Sequence, residues 1–539
     1  MAKKWLFIKD NTLEERLYQL QDLQQILERG ALGENVGLVY PTGLGKTFTA
    51  FMAMDHYLQY GKILFLAHTN ALALQHYNDC LKSFNLAPEQ IVLFTGRLSQ
   101  KKRALSWENS RIVFATPQTV VNAINQGLIS LAGFSFAVFD EMHMADKKYD
   151  YVVLARLCSR EDIRILGLTA STGNHFKISQ IELNYNLSWW VCHFIDEEEI
   201  KPYFFDKKQK RVVFEAGKDH LDGQNMLLDA IYSIHNRLAQ TGLIPKIVGS
   251  VFSTSPNPFL RLTQLRDLQP RLNEYVKRNK DADRFAWNFH VYYAAYFYLA
   301  HLLHLYATES YELALQYTNV LAGKLISVNE YGVYRFNAAS LIWRMEMFHR
   351  FRRLLQYFVQ ERILHPKTVA LKSLVLNFEI ERKRVLVFSN SKESIDILLR
   401  ELQSWGIKAR LIAGTKFMKV KEQEEQLRQF KNDEFPVLLA TSVIEAGIHV
   451  PKIDVLINYS IPLTGIAHIQ RSGRVGRTEI GLIYHFVMEN SGDENMYYAM
   501  KAENRSMVKE LKRRLAAQQD RLQGRRPTTV PNHQLAFQF

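Results

Sequence analysis

Cysteine is nearly missing from this sequence: Cys80, Cys158 and Cys192 are the three in 539 residues, and no two of them form a CxxC pair. That argues against a thiolate zinc site and a disulfide framework, and it fits a reducing compartment. Long apolar runs are missing too. Met1-Ala2-Lys3-Lys4-Trp5 is not followed by the hydrophobic stretch of a signal peptide. The most apolar stretch, Val291 to Ala307, carries His301 and His304 and falls short of a usual transmembrane span. A buried helix is expected there, in an intracellular, cytoplasmic protein with no membrane partner. No repeat at solenoid spacing is present. Acidic residues are outnumbered, 54 Asp and Glu against 68 Lys and Arg, for a formal net charge of +14. Such an excess of basic side chains points to a polyanionic partner, of which nucleic acid is the commonest. Hydrophobic residues make up 47% of the chain, enough for packed cores. The length predicts roughly three or four domains.

What is present is organised around Tyr40-Pro41-Thr42-Gly43-Leu44-Gly45-Lys46-Thr47. A short apolar run, Val36 to Val39, precedes it, and a helix-compatible run, Phe48 to Met54, follows. This is the strand–loop–helix setting of a phosphate-binding loop. Gly43 and Gly45 allow the tight turn that aims backbone N–H groups at phosphate oxygens. Lys46 supplies a charge to the β- and γ-phosphates and Thr47 a hydroxyl for Mg²⁺. Tyr40 stands where the strict pattern has Gly.

Upstream, Leu13 to Ile26 is expected as a helix with Leu13, Leu17, Leu20 and Leu23 on one side. Gln19 lies on it, and its amide could pair with adenine or simply face solvent. Downstream come apolar runs at the spacing of an α/β fold: Lys62 to Ala67, Gln90 to Phe94, Arg111 to Ala115, Phe136 to Phe139 and Ile163 to Leu168. Strands alternating with helical patterns mean a parallel sheet covered on both faces. Polar residues gather just past the strand ends, where such sheets bind ligands. Asp140-Glu141-Met142-His143 follows the fourth of these runs. A carboxylate there can hold Mg²⁺, and its neighbour can activate water.

From about Phe214 to Ala370 the texture becomes helical, with Tyr292, Ala295, Tyr296, Leu299, Leu302, Leu303 and Tyr306 three and four apart. Burial preferences make this aromatic stripe core rather than a base-stacking surface. His301 and His304 have the spacing to share a metal, but no third ligand is signalled. Strand texture returns at Arg384 to Phe388, Ala409 to Ile412, Pro436 to Ala440 and Asp454 to Tyr459. This second α/β unit has no phosphate loop of its own. It offers Gln470-Arg471-Ser472-Gly473-Arg474-Val475-Gly476-Arg477, a cluster suited to reaching a γ-phosphate held by the first unit.

In this order the motifs resemble a superfamily 2 DExH helicase, similar to the archaeal Hef and FANCM-like DNA helicases and next to the RIG-I-like group. The resemblance covers about Leu13 to Met488. It rests further on Thr95-Gly96-Arg97, Phe114 to Val120, Ile200-Lys201-Pro202-Tyr203, His365-Pro366-Lys367 and Ala440-Thr441-Ser442-Val443. It implies two RecA-like parallel-sheet domains with an all-α insertion: residues 1–213, 214–370 and 371–490, followed by a basic helix and tail over 491–539. It implies ATP and Mg²⁺ as cofactors. Gln19, Thr42, Gly43, Gly45, Lys46 and Thr47 would hold the nucleotide, with Thr47 and Asp140 on Mg²⁺. Glu141 would be the general base, and Gln470, Arg474 and Arg477 would reach the γ-phosphate from the second domain. His143, Thr169 and Ser171 would couple hydrolysis to movement. Thr69, Thr95, Gly96, Thr116, Pro117, Asn390 and Thr441 would touch the nucleic-acid backbone.

The chain departs from the family pattern at His68-Thr69-Asn70-Ala71, Ala446 and His449, and it has neither a nuclease motif nor a Cys-rich RNA-sensing domain after the core. The expected function is an ATP-dependent helicase or translocase on branched or forked DNA. A duplex-RNA helicase and an ATP-gated clamp or sensor are the alternatives. The last residues, Gln534-Leu535-Ala536-Phe537-Gln538-Phe539, resemble peptides that dock on sliding clamps, with Gln534, Leu535, Phe537 and Phe539 as the contacts.

Overall fold

The computed structural model describes residues 5–9, 16–96, 99–145, 150–203, 207–247, 262–279, 286–325, 337–414, 416–441, 453–473 and 481–525. The first unit begins with α1 (Leu17–Ala31) and β1 (Asn35–Val39), continues through α2 (Lys46–Tyr57), β2 (Lys62–Leu66) and α3 (Asn70–Ser83), and then adds β3 (Ile91–Phe94), β4 (Ile112–Ala115), β5 (Phe134–Asp140), β6 (Arg164–Thr169) and β7 (Leu187–Cys192). Its sheet has the order β3-β4-β2-β5-β6-β1-β7. Every pairing is parallel. The inner strands are almost unbroken runs of Val, Ile, Leu, Phe and Ala because helices cover both faces.

The second sheet is built from β8 (Lys207–Phe214), β9 (Val385–Phe388), β10 (Ala409–Ile412), β11 (Val437–Ala440), β12 (Val455–Asn458) and β13 (Gly481–Met488), in the order β10-β11-β9-β12-β13-β8. It too is wholly parallel. Two RecA-like units therefore stand in one chain. The first unit was expected to run to residue 213, but β8 pairs with β13 across eight residues and belongs to the second sheet. Its sequence, Lys-Lys-Gln-Lys-Arg-Val-Val-Phe, is largely exposed and runs through five polar residues before a short apolar end, as befits an edge strand.

Between the units lies a helical insertion centred on helix Asn288–Thr308. The aromatic stripe forms its core: Ala295, Tyr296, Leu299, Leu302 and Tyr306 are buried against helices Lys218–Leu238 and Glu346–Gln360. His301 packs on Tyr317, and His304 Nδ1 lies 3.2 Å from Thr308 Oγ1. No helix among the described residues is long and apolar enough to cross a membrane.

The insertion is welded to the second sheet by polar groups. Glu309, 3% exposed, accepts hydrogen bonds from Ser460 Oγ at 2.8 Å and Ser394 Oγ at 2.5 Å, and its carbonyl accepts one from Tyr459 at 2.5 Å. Beside it Lys367 donates to Thr308 O at 2.7 Å and pairs with Asp493 at 3.0 Å, with both side chains buried. Asp493 opens helix Gly492–Leu522, where the sequence reading placed a basic helix and tail. At 31 residues this helix is about 46 Å long and acts as a brace. Near its start Met500 packs on Ile461 and Val487 of the second unit. Farther on, Met507 and Leu511 enter the core of the first unit. Gln518 receives the Trp190 N–H at 2.8 Å and donates to the Trp190 carbonyl at 3.0 Å, so one amide satisfies the edge of β7.

Lys367→Met is expected to lower stability in urea denaturation by about 3–5 kcal/mol, because it leaves Asp493 charged, buried and unpaired. Lys367→Met with Asp493→Leu is expected to recover most of that loss. Equal stability of the single and double variants would contradict this account of the seam.

Candidate nucleotide and nucleic-acid site

Parallel register brings the chemistry together. Val39 lies opposite Thr169, and Asp140 opposite Leu168, so the loops after β1, β5 and β6 leave the sheet side by side. The loops after β2, β3 and β4 leave the same edge on the other half of the sheet. The first group carries the nucleotide residues and the second carries Thr69, Thr95, Gly96, Thr116 and Pro117.

The phosphate loop closes with Gly43 at φ +96° and Gly45 at φ +79°, and Gly45 caps α2. A side chain on Gly45 would put its Cβ 2.7 Å from Gln19 Nε2, so that loop residue has to be glycine for two reasons. Lys46 Nζ rests 3.5 Å from the Tyr40 carbonyl, at the mouth of the loop. Gln19 is buried rather than at the surface, and α1 presents Tyr18, Gln19, Asp22, Leu23 and Ile26 inward. Leu17, expected on the apolar side, is 69% exposed instead. The polar pair Gln19 and Asp22 takes the inward face because α1 packs on the phosphate loop: Gln19 donates to the Leu44 carbonyl, and Asp22 accepts from the Tyr40 phenol. Tyr18 Oη and Gln19 Nε2 both donate to Leu44 O, at 2.7 and 3.1 Å. The Gln19 Oε1 atom is buried without a hydrogen-bond partner among the described residues.

Asp140 ends β5 and is 6% exposed. One of its oxygens lies 2.9 Å from His76 Nε2 of α3, a contact no sequence motif signalled. Glu141 is held at φ +51°, in the left-handed region, which costs a non-glycine residue energy and aims its carboxylate away from the strand. Burial works against its charge, but the hydrogen bond and charge of His143, with Lys46 and His68, outweigh this and bring Glu141 down to about 2. It is therefore an ionised acceptor whose Oε2 faces His143 Nδ1. His68, the departure after β2, faces this acidic pair, and its burial lowers its own pKa.

The coupling residues form a chain. Thr169 Oγ1 donates to Ser171 O at 2.7 Å, so its lone pairs face His143 Nδ1 at 2.9 Å. His143 Nδ1 is thus the donor, and it also lies 3.3 Å from Glu141 Oε2. Ser171 Oγ continues the line to Met507 Sδ of the brace helix at 3.1 Å.

In the second unit Arg471 is 1% exposed and donates to Asn458 Oδ1, to Ser460 O and to Asn390 Oδ1. Asn390 also donates to Ile461 O at 3.0 Å, so both ends of its amide are engaged inside the protein. Thr441 stands at the end of β11, and its N–H reaches Ile412 O. Gln470 lies in helix Gly465–Ser472, half-buried. Just beyond, a Cβ on Gly473 would lie 2.5 Å from Thr42 Oγ1. The turn that leads into the arginine segment thus rests on the phosphate loop of the first unit. Arg474, Arg477, Ala446, His449, Gln534, Leu535, Phe537 and Phe539 lie outside the described residues.

Sequence reading also missed Arg16 and Tyr203 as a pair. The Arg16 guanidinium sits 4.8 Å above the Tyr203 ring, beside Gln19. Their separation of nearly two hundred positions left no local pattern to find.

Comparison with known proteins fits this geometry. Residues 12–173 match the family model of the type III restriction enzyme res subunit, and residues 366–479 match that of the helicase conserved C-terminal domain. A Methanocaldococcus jannaschii protein named for ATP-dependent RNA helicase activity is 29% identical over 94% of this chain and 62% of its own length. The ATP-dependent DNA helicase MPH1 of Pyricularia oryzae is 26% identical over 91% of this chain and 45% of its own. The chain therefore spans less than two-thirds of the length of either relative. The crystal structure of the Pyrococcus furiosus Hef helicase domain is similar at a TM-score of 0.69 and 29% identity, covering 92% of this chain and 99% of that one. With both helicase units, the insertion between them and the shared cleft accounted for, the chain belongs to superfamily 2, in the group of helicases that contains Hef and FANCM.

Proposed function

We propose that the protein is an ATP-dependent helicase or translocase that acts on branched or forked DNA. The observation that carries the reading is the approach of Gly473 in the second unit to Thr42 in the phosphate loop of the first. Opening and closing of that joint would shift the grip of the two units along a strand. The grip consists of backbone contacts at strand ends, which do not read sequence. DNA is favoured because MPH1 and other similar proteins are named DNA helicases. RNA is the second reading, because the Methanocaldococcus protein is named an RNA helicase.

The chain's own groups fit the chemistry. Lys46 moves from the Tyr40 carbonyl to phosphate oxygens. Gln19 Oε1 accepts from the adenine amine. Ionised Glu141 orients the attacking water and takes its proton. Among the described residues no three His, Cys, Asp or Glu side chains could hold a cation by themselves. Mg²⁺ would be shared by Asp140, Thr47 and the phosphates, and bound there it neutralises charge on the transferred group. Arg477 would stabilise that charge from the second unit. The tail contacts Gln534, Leu535, Phe537 and Phe539 would tether the protein to a sliding clamp at forks, where tethering raises local concentration.

Lys46→Ala and Glu141→Gln are each expected to abolish turnover, but only Glu141→Gln should keep ATP binding in equilibrium titration. Near-normal turnover by Glu141→Gln would remove it as the base. Arg477→Ala is expected to cut hydrolysis by about 10³ or more with ATP still bound; unchanged hydrolysis would mean that the arginine does not serve this site. ATPase rate at one fixed salt against single-stranded DNA, duplex DNA, forks and duplex RNA tests the substrate, since backbone binding varies steeply with salt. The largest stimulation is expected from forks. Stimulation by duplex RNA alone would select the second reading. Phe537→Ala with Phe539→Ala is expected to abolish co-purification with the host clamp while DNA-stimulated hydrolysis persists; no clamp binding by the unaltered chain would reject the tether.

A further inference from the structure

Tyr40 occupies the first position of the phosphate loop, where a small residue would suffice, and its ring is fully buried. Its phenol donates a short hydrogen bond to Asp22 Oδ2 of α1. The same carboxylate oxygen lies 2.9 Å from His193 Nε2, in the segment that leaves β7. His193 Nδ1 in turn lies 2.5 Å from Glu197 Oε2. The His193 backbone N–H donates to Val39 O at 3.0 Å, so the imidazole is fixed to the strand that feeds the loop. Four residues from three separate segments thus form one line behind the phosphate loop.

We propose that Asp22, Tyr40, His193 and Glu197 are positioning residues that latch the adenine-reading helix α1 to the phosphate-binding loop. The inference rests on the nucleotide site proposed above and adds how its two halves are kept in register. Gln19 lies one turn before Asp22 on α1, and Lys46 rests on the carbonyl of Tyr40 itself. Holding Asp22 against the Tyr40 phenol therefore fixes the distance between the group that meets the base and the group that meets the phosphates. Without the latch each half would still bind its part of ATP, but the pair would lose its preset spacing, and preorganisation is what such spacing contributes to affinity.

The latch contains a charge that titrates in an accessible range. Burial disfavours the His193 cation, but hydrogen bonds and charge from Asp22 and Glu197 outweigh this and raise it to about 9. The other groups facing it do not share that window. Tyr40 and Cys192 are pushed well above their ordinary values by burial and by Asp22. Tyr18 is raised by burial, though Arg16 opposes it, and Tyr203 packs on its far side. A group raised in this way lends its stabilisation fully below its ordinary value near 6.5, and the contribution is lost as pH rises through about 9.

The test is steady-state ATP hydrolysis by the full chain at saturating single-stranded DNA, from pH 7 to pH 10, with the melting temperature of each variant measured alongside. Tyr40→Phe removes one oxygen and keeps the buried ring. It is expected to raise KM for ATP about tenfold at pH 7.5, as loss of a hydrogen bond to a charged group does, with kcat within about twofold. The unaltered chain is expected to show a rise in KM between pH 8 and pH 10, and His193→Gln is expected to raise KM at pH 7.5 similarly and to flatten that rise. Asp22→Asn replaces Tyr40→Phe as the probe if the latter melts early. A KM unchanged in these variants, with the pH profile of His193→Gln parallel to that of the unaltered chain, would overturn the latch while leaving the helicase reading intact. Absence of ATP hydrolysis by the unaltered chain would overturn both.

Discussion

The close approach of Gly473 to Thr42 is the constraint on which the rest of the structure depends. No side chain fits between the turn after helix Gly465–Ser472 and the phosphate loop, so glycine there sets how near the two units can come. Much of the surrounding architecture keeps that turn in place. Arg471, fully buried, ties its helix to the ends of β9 and β12 through Asn390, Asn458 and Ser460. Ser460 is in turn held by Glu309 of the insertion. A charged side chain buried this deeply persists only when its donors are matched by acceptors, and here the segment after β9 supplies one and the segment from Asn458 to Ser460 the other two. The insertion is thus part of the second unit's frame rather than an appendage.

The brace helix gives the two units a second connection, away from the cleft. One end is held by the buried Lys367–Asp493 pair and the other by the apolar core of the first unit. Midway it meets Ser171, which connects through Thr169 and His143 to Glu141. In the proposed reaction the charge around Glu141 would change, and this line of contacts leads from there to the element that spans both units. It is a route made of one thioether, two hydroxyls and an imidazole whose tautomer is set by Thr169.

The residues of the proposed nucleotide site were legible in the sequence as candidates, because strand-end glycines, carboxylates and basic residues sit in short contiguous patterns. The inner strands were legible for the same reason: burial on both faces demands unbroken apolar runs. β8 was not, since an edge strand of Lys and Arg looks like solvated coil. Gln19 was legible only as a possibility for base reading, and its burial against the Leu44 carbonyl, 25 positions away, follows from no local pattern. His76 on Asp140, Glu309 in the second sheet and the Tyr40–Asp22–His193–Glu197 latch all join positions that only the fold brings together. Asn390 corresponds to a nucleic-acid contact in the resemblance, whereas in this structure its amide supports Arg471.

The central claim is that the two units share one nucleotide site at the Gly473–Thr42 contact. Its most direct test is Gly473→Val, with ATP binding and DNA-stimulated hydrolysis measured separately on the same preparation. The branched side chain would hold the turn after helix Gly465–Ser472 off the phosphate loop while leaving the first unit's own groups in place. The account predicts ATP affinity close to that of the unaltered chain and hydrolysis reduced by orders of magnitude. Hydrolysis at the unaltered rate would show that the first unit works alone and would contradict the shared site.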